Sequence, residues 1–188
     1  METTPRRPNE EGLTPDEHWA AAGLRRGEMG FEPPRGVTRI DVRPGLAHVS
    51  LPTEGRPRDL ARIFRPLTEA GVSVDLIKLH DNSLHFALAD AELDRARQVL
   101  AELGHEPEVV PQCAILTVYA ADMRSIPGVM GRIVSALHRA GVGILEMDDS
   151  YNSVFCLIQR HQAPPACEAL AAEFELETQP TQRPDPWR

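Results

Sequence analysis

The chain has 188 residues, and its 20 lysines and arginines against 28 aspartates and glutamates give a formal charge of −8. That length holds one ordinary domain or two small ones, and 41% hydrophobic residues can build a core, which excludes wholesale disorder. The negative balance argues against general nucleic-acid or anionic-membrane binding, both of which feed on clustered positive charge. No apolar run approaches the ~20 residues that span a bilayer, and the polar N-terminus has no signal-peptide core. Cys113, Cys156 and Cys167 show no CxxC spacing, so they read as reduced thiols in a cytoplasmic protein.

Residues 1–36 carry five prolines among charged residues and are expected to be mostly a disordered tail. Within it, Thr14-Pro15-Asp16-Glu17 has the signature of a helix start, with an N-cap threonine, a proline at the first position and a capping-box glutamate. That predicts a short helix over residues 15–26, ended by Gly27. A second proline-rich tail is expected over residues 180–188.

Between the tails the pattern is regular. Ala47-His48-Val49-Ser50-Leu51 alternates as a half-buried strand should, and Leu60, Ile63, Phe64 and Leu67 follow at helical spacing up to Gly71. Val72–Leu79 and Ser83–Leu88 read as two strands joined by a tight turn at His80-Asp81-Asn82. Leu93, Ala96, Leu100 and Leu103 define a second amphipathic helix closed by Gly104, and Glu108-Val109-Val110 is a brief final strand. The order is βαββαβ. It then recurs: a strand at Ala114–Tyr119, a helix striped by Val129, Met130, Ile133, Val134 and Leu137, strands at Val142–Met147 and Ser153–Ile158, a helix at Pro165–Phe174, and a last strand at Leu176-Glu177-Thr178.

At an offset of 70, Arg62-Ile63 falls over Arg132-Ile133, Ala70-Gly71-Val72 over Ala140-Gly141-Val142, and Asn82-Ser83 over Asn152-Ser153. This is an internal duplication. The expected fold class is α+β, two ferredoxin-like βαββαβ units in tandem, each an antiparallel sheet with its helices on one face. If Val154, Cys156 and Ile158 face the helices, Phe155 and Leu157 project from the other side, with Ile115 and Tyr119 beside them. That second face needs a cover, either the sister unit, a second subunit, or both.

Several stretches resemble the paired ACT domains of the regulatory half of bacterial aspartokinases: Val37-Thr38-Arg39-Ile40, Ala61-Arg62-Ile63-Phe64, the Ala-Gly-Val turns at residues 70–72 and 140–142, and above all Met123-Arg124-Ser125-Ile126-Pro127-Gly128-Val129. The likeness covers roughly residues 37–177 and implies ACT domains at 37–110 and 111–179. In that family the strand preceding the first unit, here Val37–Val42, belongs to the same block and elements can exchange between units. The resemblance implies an amino-acid ligand bound between units. It carries the contacts onto Asp122, Arg124, Ser125, Ile126, Pro127, Gly128 and Val129 in the second unit, with Gly143 and Ile144 after its glycine turn. In the first unit it carries them onto Arg58, Asp59 and Ser73.

The physics of the second-unit loop agrees, because a helix start exposes unpaired N–H groups that suit an α-carboxylate. The bland alternative is that Pro127-Gly128 simply begins a helix. The family pattern is not fully kept. Arg58 stands where the family has a glycine, Ser73 and Gly143 where it has an asparagine, and Leu79 where it has a glutamine. Lysine or threonine as the effector is therefore not implied, while amino-acid sensing as a class is.

Two other readings compete. His48, His80 and His85, with Asp81 near the turn, make a conceivable metal cluster, but loosely spaced histidines on a sheet face are more often plain surface residues. No metal site and no cofactor are therefore expected. The βαββαβ order also suits RNA-recognition modules, which need stacking aromatics where this chain has His48, Ser50, His85 and Ala87. No catalytic motif stands out. The expectation is a non-enzymatic, amino-acid-sensing regulatory protein, homodimeric through its ACT domains and acting on an amino-acid biosynthetic enzyme. The alternatives are the regulatory subunit of a heteromeric aspartokinase, or an interaction scaffold that binds no ligand.

Overall fold

The computed structural model describes residues 36–121 and 127–176. The expected N-terminal helix at 15–26, the C-terminal tail and the residues Glu177-Thr178 lie outside them. The elements run β1 (Gly36–Pro52), α1 (Pro57–Glu69), β2 (Val74–Leu79), β3 (Ser83–Ala89), α2 (Leu93–Glu102), β4 (Glu108–Ala121), α3 (Val129–Arg139), β5 (Ile144–Asp149), β6 (Ser153–Gln159) and α4 (Ala163–Glu173). All strand pairs are antiparallel, in the order β2-β3-β1-β4-β6-β5. Among the described residues no helix is long and apolar enough to cross a membrane.

The repeat is visible bond by bond. Both glycine turns close in the same way: Val72 N–H donates to the Leu67 carbonyl at 2.9 Å and Val142 N–H to the Leu137 carbonyl at 3.0 Å. Gly71 and Gly141 stand at φ of 72° and 70°, which a glycine adopts without strain. Both strand hairpins are pinned by one bond, His80 N–H to the Ser83 carbonyl and Ser150 N–H to the Ser153 carbonyl. The first strand of each half matches at 69 residues: Ala47, Val49 and Leu51 face one core, as Leu116, Val118 and Ala120 face the other. The offset rises from 69 at these strands to 70 at the helices, so the sequence of the second half holds one extra residue between them.

Two corrections concern continuity. The expected strands Val37–Val42 and Ala47–Leu51 are one 17-residue strand, and the expected strands at Glu108–Val110 and Ala114–Tyr119 are one strand of 14. The two run antiparallel through a pair of bulges around Gly45 and Gln112. At the first, Pro44 and Leu46 oppose Ala114 and Cys113, so β1 holds one extra residue. At the second, Leu46 and His48 oppose Cys113 and Val110, so β4 holds it. Without those extra residues a period-2 strand would turn its apolar side chains to the wrong face halfway along. With them, Ile40 and Leu116 face α3 and α4 while Ala47, Val49 and Val109 face α1 and α2.

β1 thus serves both halves. Its segment from Val37 to Pro44 pairs with Ala114–Ala120 of β4 and takes the lane beside the second half's first strand. Leu46–Pro52 pairs with β3 in the first half.

β2 and β5 stand at opposite ends of the strand order, yet Lys78 Nζ of β2 lies 2.8 Å from Asp148 of β5. The sheet therefore doubles back at the bulges, and the faces turned away from the helices meet. Leu46, Ala87, Cys113, Ile115 and Leu157 are buried together there, joined by Leu76, Val110, Leu145 and Phe155. The cover expected for Phe155 and Leu157 is thus supplied by the other half of the same chain. Ala87 is fully buried on this seam, so the face proposed for base stacking is occupied. Tyr119 instead carries the Arg39 guanidinium 4.0 Å above its ring. Replacing Leu157 by alanine should destabilise the chain by about 2–5 kcal/mol in urea unfolding at unchanged m-value; a loss below about 1 kcal/mol would mean the two faces are not packed together.

Candidate functional site

The helix start of the second half is only partly described, since Asp122, Arg124, Ser125 and Ile126 lie outside the described residues. Gly128 is the N-cap residue of α3 at φ 88°, with open space where a Cβ would stand, and no side chain caps the helix from that position. Its carbonyl accepts from Arg132 N–H at 3.0 Å, and Val129 is buried in the core below.

In the first half, Arg58 and Asp59 sit in the first turn of α1, on the rim of a groove of about 900 Å³ that also involves Thr53, Arg62 and His105. The acidic groups there are already engaged. Arg56 holds Asp59 at 2.9 Å and Glu54 at 2.9 Å, and the Arg56 hydrogen bond draws the Asp59 carboxyl below its usual range. Arg58 is exposed.

Ser73, Gly143 and Ile144 lie elsewhere. Ser73 follows the turn after α1, where its N–H donates to Glu92 Oε2 at 2.9 Å. Gly143 precedes β5, near Gln162, whose amide donates to the Gly141 carbonyl at 3.2 Å. The eleven residues of α3 span roughly 16 Å at 1.5 Å per residue, and they separate Gly128 from Gly143. Among the described residues, Gly128 and Val129 are not brought together with Gly143 and Ile144 within the second half.

A second constellation lies on the seam. His48 of β1 and His85 of β3 reach across to Glu146 of β5. His85 Nδ1 is 2.6 Å and His48 Nε2 is 3.2 Å from Glu146 Oε1. His85 Nε2 lies 3.0 Å from Ser83 Oγ and 3.4 Å from Ser50 Oγ. The side chains of His48 and Glu146 are each about 10% exposed and that of His85 21%. The pairing of His48 with His85 expected from the sequence is present, with ring centroids 5.4 Å apart. Its carboxylate is Glu146, not Asp81, and His80 packs edge-on against the His85 ring with centroids 4.6 Å apart. Sequence reasoning missed Glu146. The available signal was a carboxylate set between the apolar Leu145 and Met147 near the start of a strand.

With this geometry in hand, comparison with known proteins is informative. Residues 108–172 match the family described as ACT domain. Aspartokinase 1 of Bacillus subtilis (strain 168) is 30% identical over 139 residues, which is 70% of this chain and 34% of that protein. The chain spans about a third of the length of the curated relatives it matches, with 40% for an aspartokinase of Thermus thermophilus. Among solved structures, the regulatory subunit of aspartate kinase from Thermus thermophilus in its ligand-free form superposes with a TM-score of 0.66 at 22% identity, covering 74% of this chain and 99% of that one. Aspartate kinase from Synechocystis gives 0.72 at 22% identity, over 82% of this chain and 30% of that one. An ACT domain is thus present. The chain is homologous to the regulatory C-terminal region of aspartokinases.

Burial pushes the His48 imidazole below its ordinary value, against the pull of Glu146 through charge and hydrogen bond, with His85 adding to the downward push. The unfolded chain then holds that proton more tightly than the folded one. The contribution of His48 to stability is complete above about pH 6.5 and is lost as pH falls toward the folded value. Glu146 from β5 and His85 from β3 face its ring, and the Cys113 thiol from β4 meets its backbone. Between about pH 7 and pH 5 the native chain should lose more urea stability than a His48→Gln variant; equal slopes would show that His48 does not titrate between the two states.

Proposed function

We propose that the chain is a pair of tandem ACT domains, at 37–110 and 111–179 with the first strand exchanged into the second half, that works as a stand-alone cytoplasmic sensor of a free amino acid. The observation that carries this reading is the duplicated unit. Two copies repeat helix, glycine turn and hairpin bond for bond, and one of them matches the ACT family. The ligand contacts are taken to be Asp122, Arg124, Ser125, Ile126, Pro127, Gly128 and Val129, with Arg58 and Asp59, and with Ser73, Gly143 and Ile144. Because the helix-start and helix-end sets lie a helix length apart, one small ligand touching both needs a second unit beside the first. This supports a homodimer whose ligand bridges two copies. No residue of the site is assigned a catalytic role.

A second reading has a specific observation in its favour. The described fold covers 99% of the Thermus thermophilus regulatory subunit, and it covers 99% of a chain in a structure of aspartokinase α and β subunits. In this reading the chain regulates a separate catalytic subunit. Affinity purification from cells distinguishes the two: recovery of an aspartokinase catalytic chain in equal amount supports the subunit, and a pure homo-oligomer supports the independent sensor.

Ligand binding is tested by a melting screen over the common amino acids. At a hundredfold excess over its dissociation constant, the ligand should stabilise the folded chain by about 2.7 kcal/mol and raise its melting temperature by several degrees. A flat response across the panel, from a chain that melts cooperatively, would leave an interaction scaffold in place of a sensor.

A further inference from the structure

We propose that His48, His85 and Glu146 form a divalent transition-metal site, filled by Zn²⁺, that fastens β5 of the second half to β1 and β3 of the first. The proposal is independent of the amino-acid reading.

One ligand atom from each residue lies within 4.8 Å of the others, and Glu146 Oε1 is 2.6 and 3.2 Å from the two ring nitrogens. Around a tetrahedral zinc, bonds of about 2.0–2.2 Å place ligand atoms about 3.2–3.5 Å apart, so a small outward movement of His85 opens the position. In one tautomer each ring nitrogen facing Glu146 carries a hydrogen and donates it to the carboxylate; in the other it presents a lone pair, and the three atoms then form a set that a metal ion can hold.

Two features favour the metal. First, His85 has a hydroxyl at its far nitrogen, with Ser83 Oγ 3.0 Å from Nε2. With Nε2–H donating to this hydroxyl, Nδ1 is left with a lone pair that can ligate, and the outer bond orients the ring. Second, the internal repeat supplies a control. The positions matching Glu146, His85 and His48 in the opposite half are Leu76, Phe155 and Thr117, and Leu76 and Phe155 join the apolar cluster of the seam. The chain closes the seam at that end with apolar side chains, its bulge falling between Asp75 and Lys78 where β5 has it between Ile144 and Glu146, so closing a seam in this fold does not by itself require a polar trio.

Two imidazoles with one carboxylate suit zinc better than calcium or magnesium, which take oxygen ligands. Three protein ligands leave a fourth coordination position, on the side where His85 is exposed.

The test is titration of the metal-free full chain with Zn²⁺ against a chromophoric chelator, with Co²⁺ as a spectroscopic probe. One tight equivalent per chain is expected, with intense visible Co²⁺ bands of a four- or five-coordinate site and no thiolate charge-transfer band. Glu146→Gln and His85→Asn should lose that equivalent, Ser83→Ala should bind about tenfold more weakly, and His138→Gln, on an exposed helix face, should bind like the parent. Absence of a tight equivalent, which would mean that the trio shares only a proton, overturns the proposal. So does unchanged affinity in Glu146→Gln, which would mean adventitious binding by other histidines. Should the variants fail to fold, the Co²⁺ spectrum of the parent decides, because a weak six-coordinate spectrum overturns the site by itself.

Discussion

The structure depends on burying the sheet faces that the helices leave uncovered. A four-stranded sheet with two helices on one side has an apolar second side that water would otherwise wet. Here the chain covers it by bending one long antiparallel ribbon, β1 with β4, so that the two halves close on each other through Leu46, Ala87, Ile115 and Leu157. The bulges at Gly45 and Gln112 make the bend compatible with side-chain alternation. The layers then follow in the order helices, sheet, sheet, helices, and residues distant in sequence meet on the seam.

That meeting is not uniform along the seam. Its centre is marked by Lys78 and Asp148, which are each other's counterparts in the repeat and pair at 2.8 Å. One side of this point is apolar, while the other holds the buried His48–Glu146–His85 trio. The two ends differ because His48 and His85 of the first half and Glu146 of the second stand where the matching positions hold Thr117, Phe155 and Leu76. The trio's cost in lost solvation is met only when each electron-rich atom finds a cation or a hydrogen-bond donor.

Much of this was legible in the sequence, because local patterns carry it. Glycine turns, alternating strands and the 70-residue offset depend on neighbours in the chain, and the hydrogen bonds of the two halves follow them. The continuity of β1 was not legible. Pro44 and Gly45 interrupt the alternation in the way a loop would, and only pairing with a strand some seventy residues away turns the interruption into a bulge. Glu146 was missed for a related reason. Its role is set by residues in the other half, about a hundred positions away for His48, and no local spacing reports a contact across a folded sheet. The expected ligand contacts were placed by resemblance, and their division between opposite ends of α3 emerges only when the helix is seen at full length.

The shared strand also sets an order of events in biosynthesis. The segment Val37–Pro44 leaves the ribosome before its partners at Ala114–Ala120, so a strand with Val37, Ile40 and Val42 unpaired waits through some seventy further residues of translation. At about 5–20 residues per second that interval lasts several seconds. The first half can gather its own helices and strands in the meantime, whereas the second cannot be completed without a strand made before it. Nascent chains of this protein therefore carry an open edge through that interval, and cellular handling of that intermediate belongs to the protein's biology as much as the finished seam does.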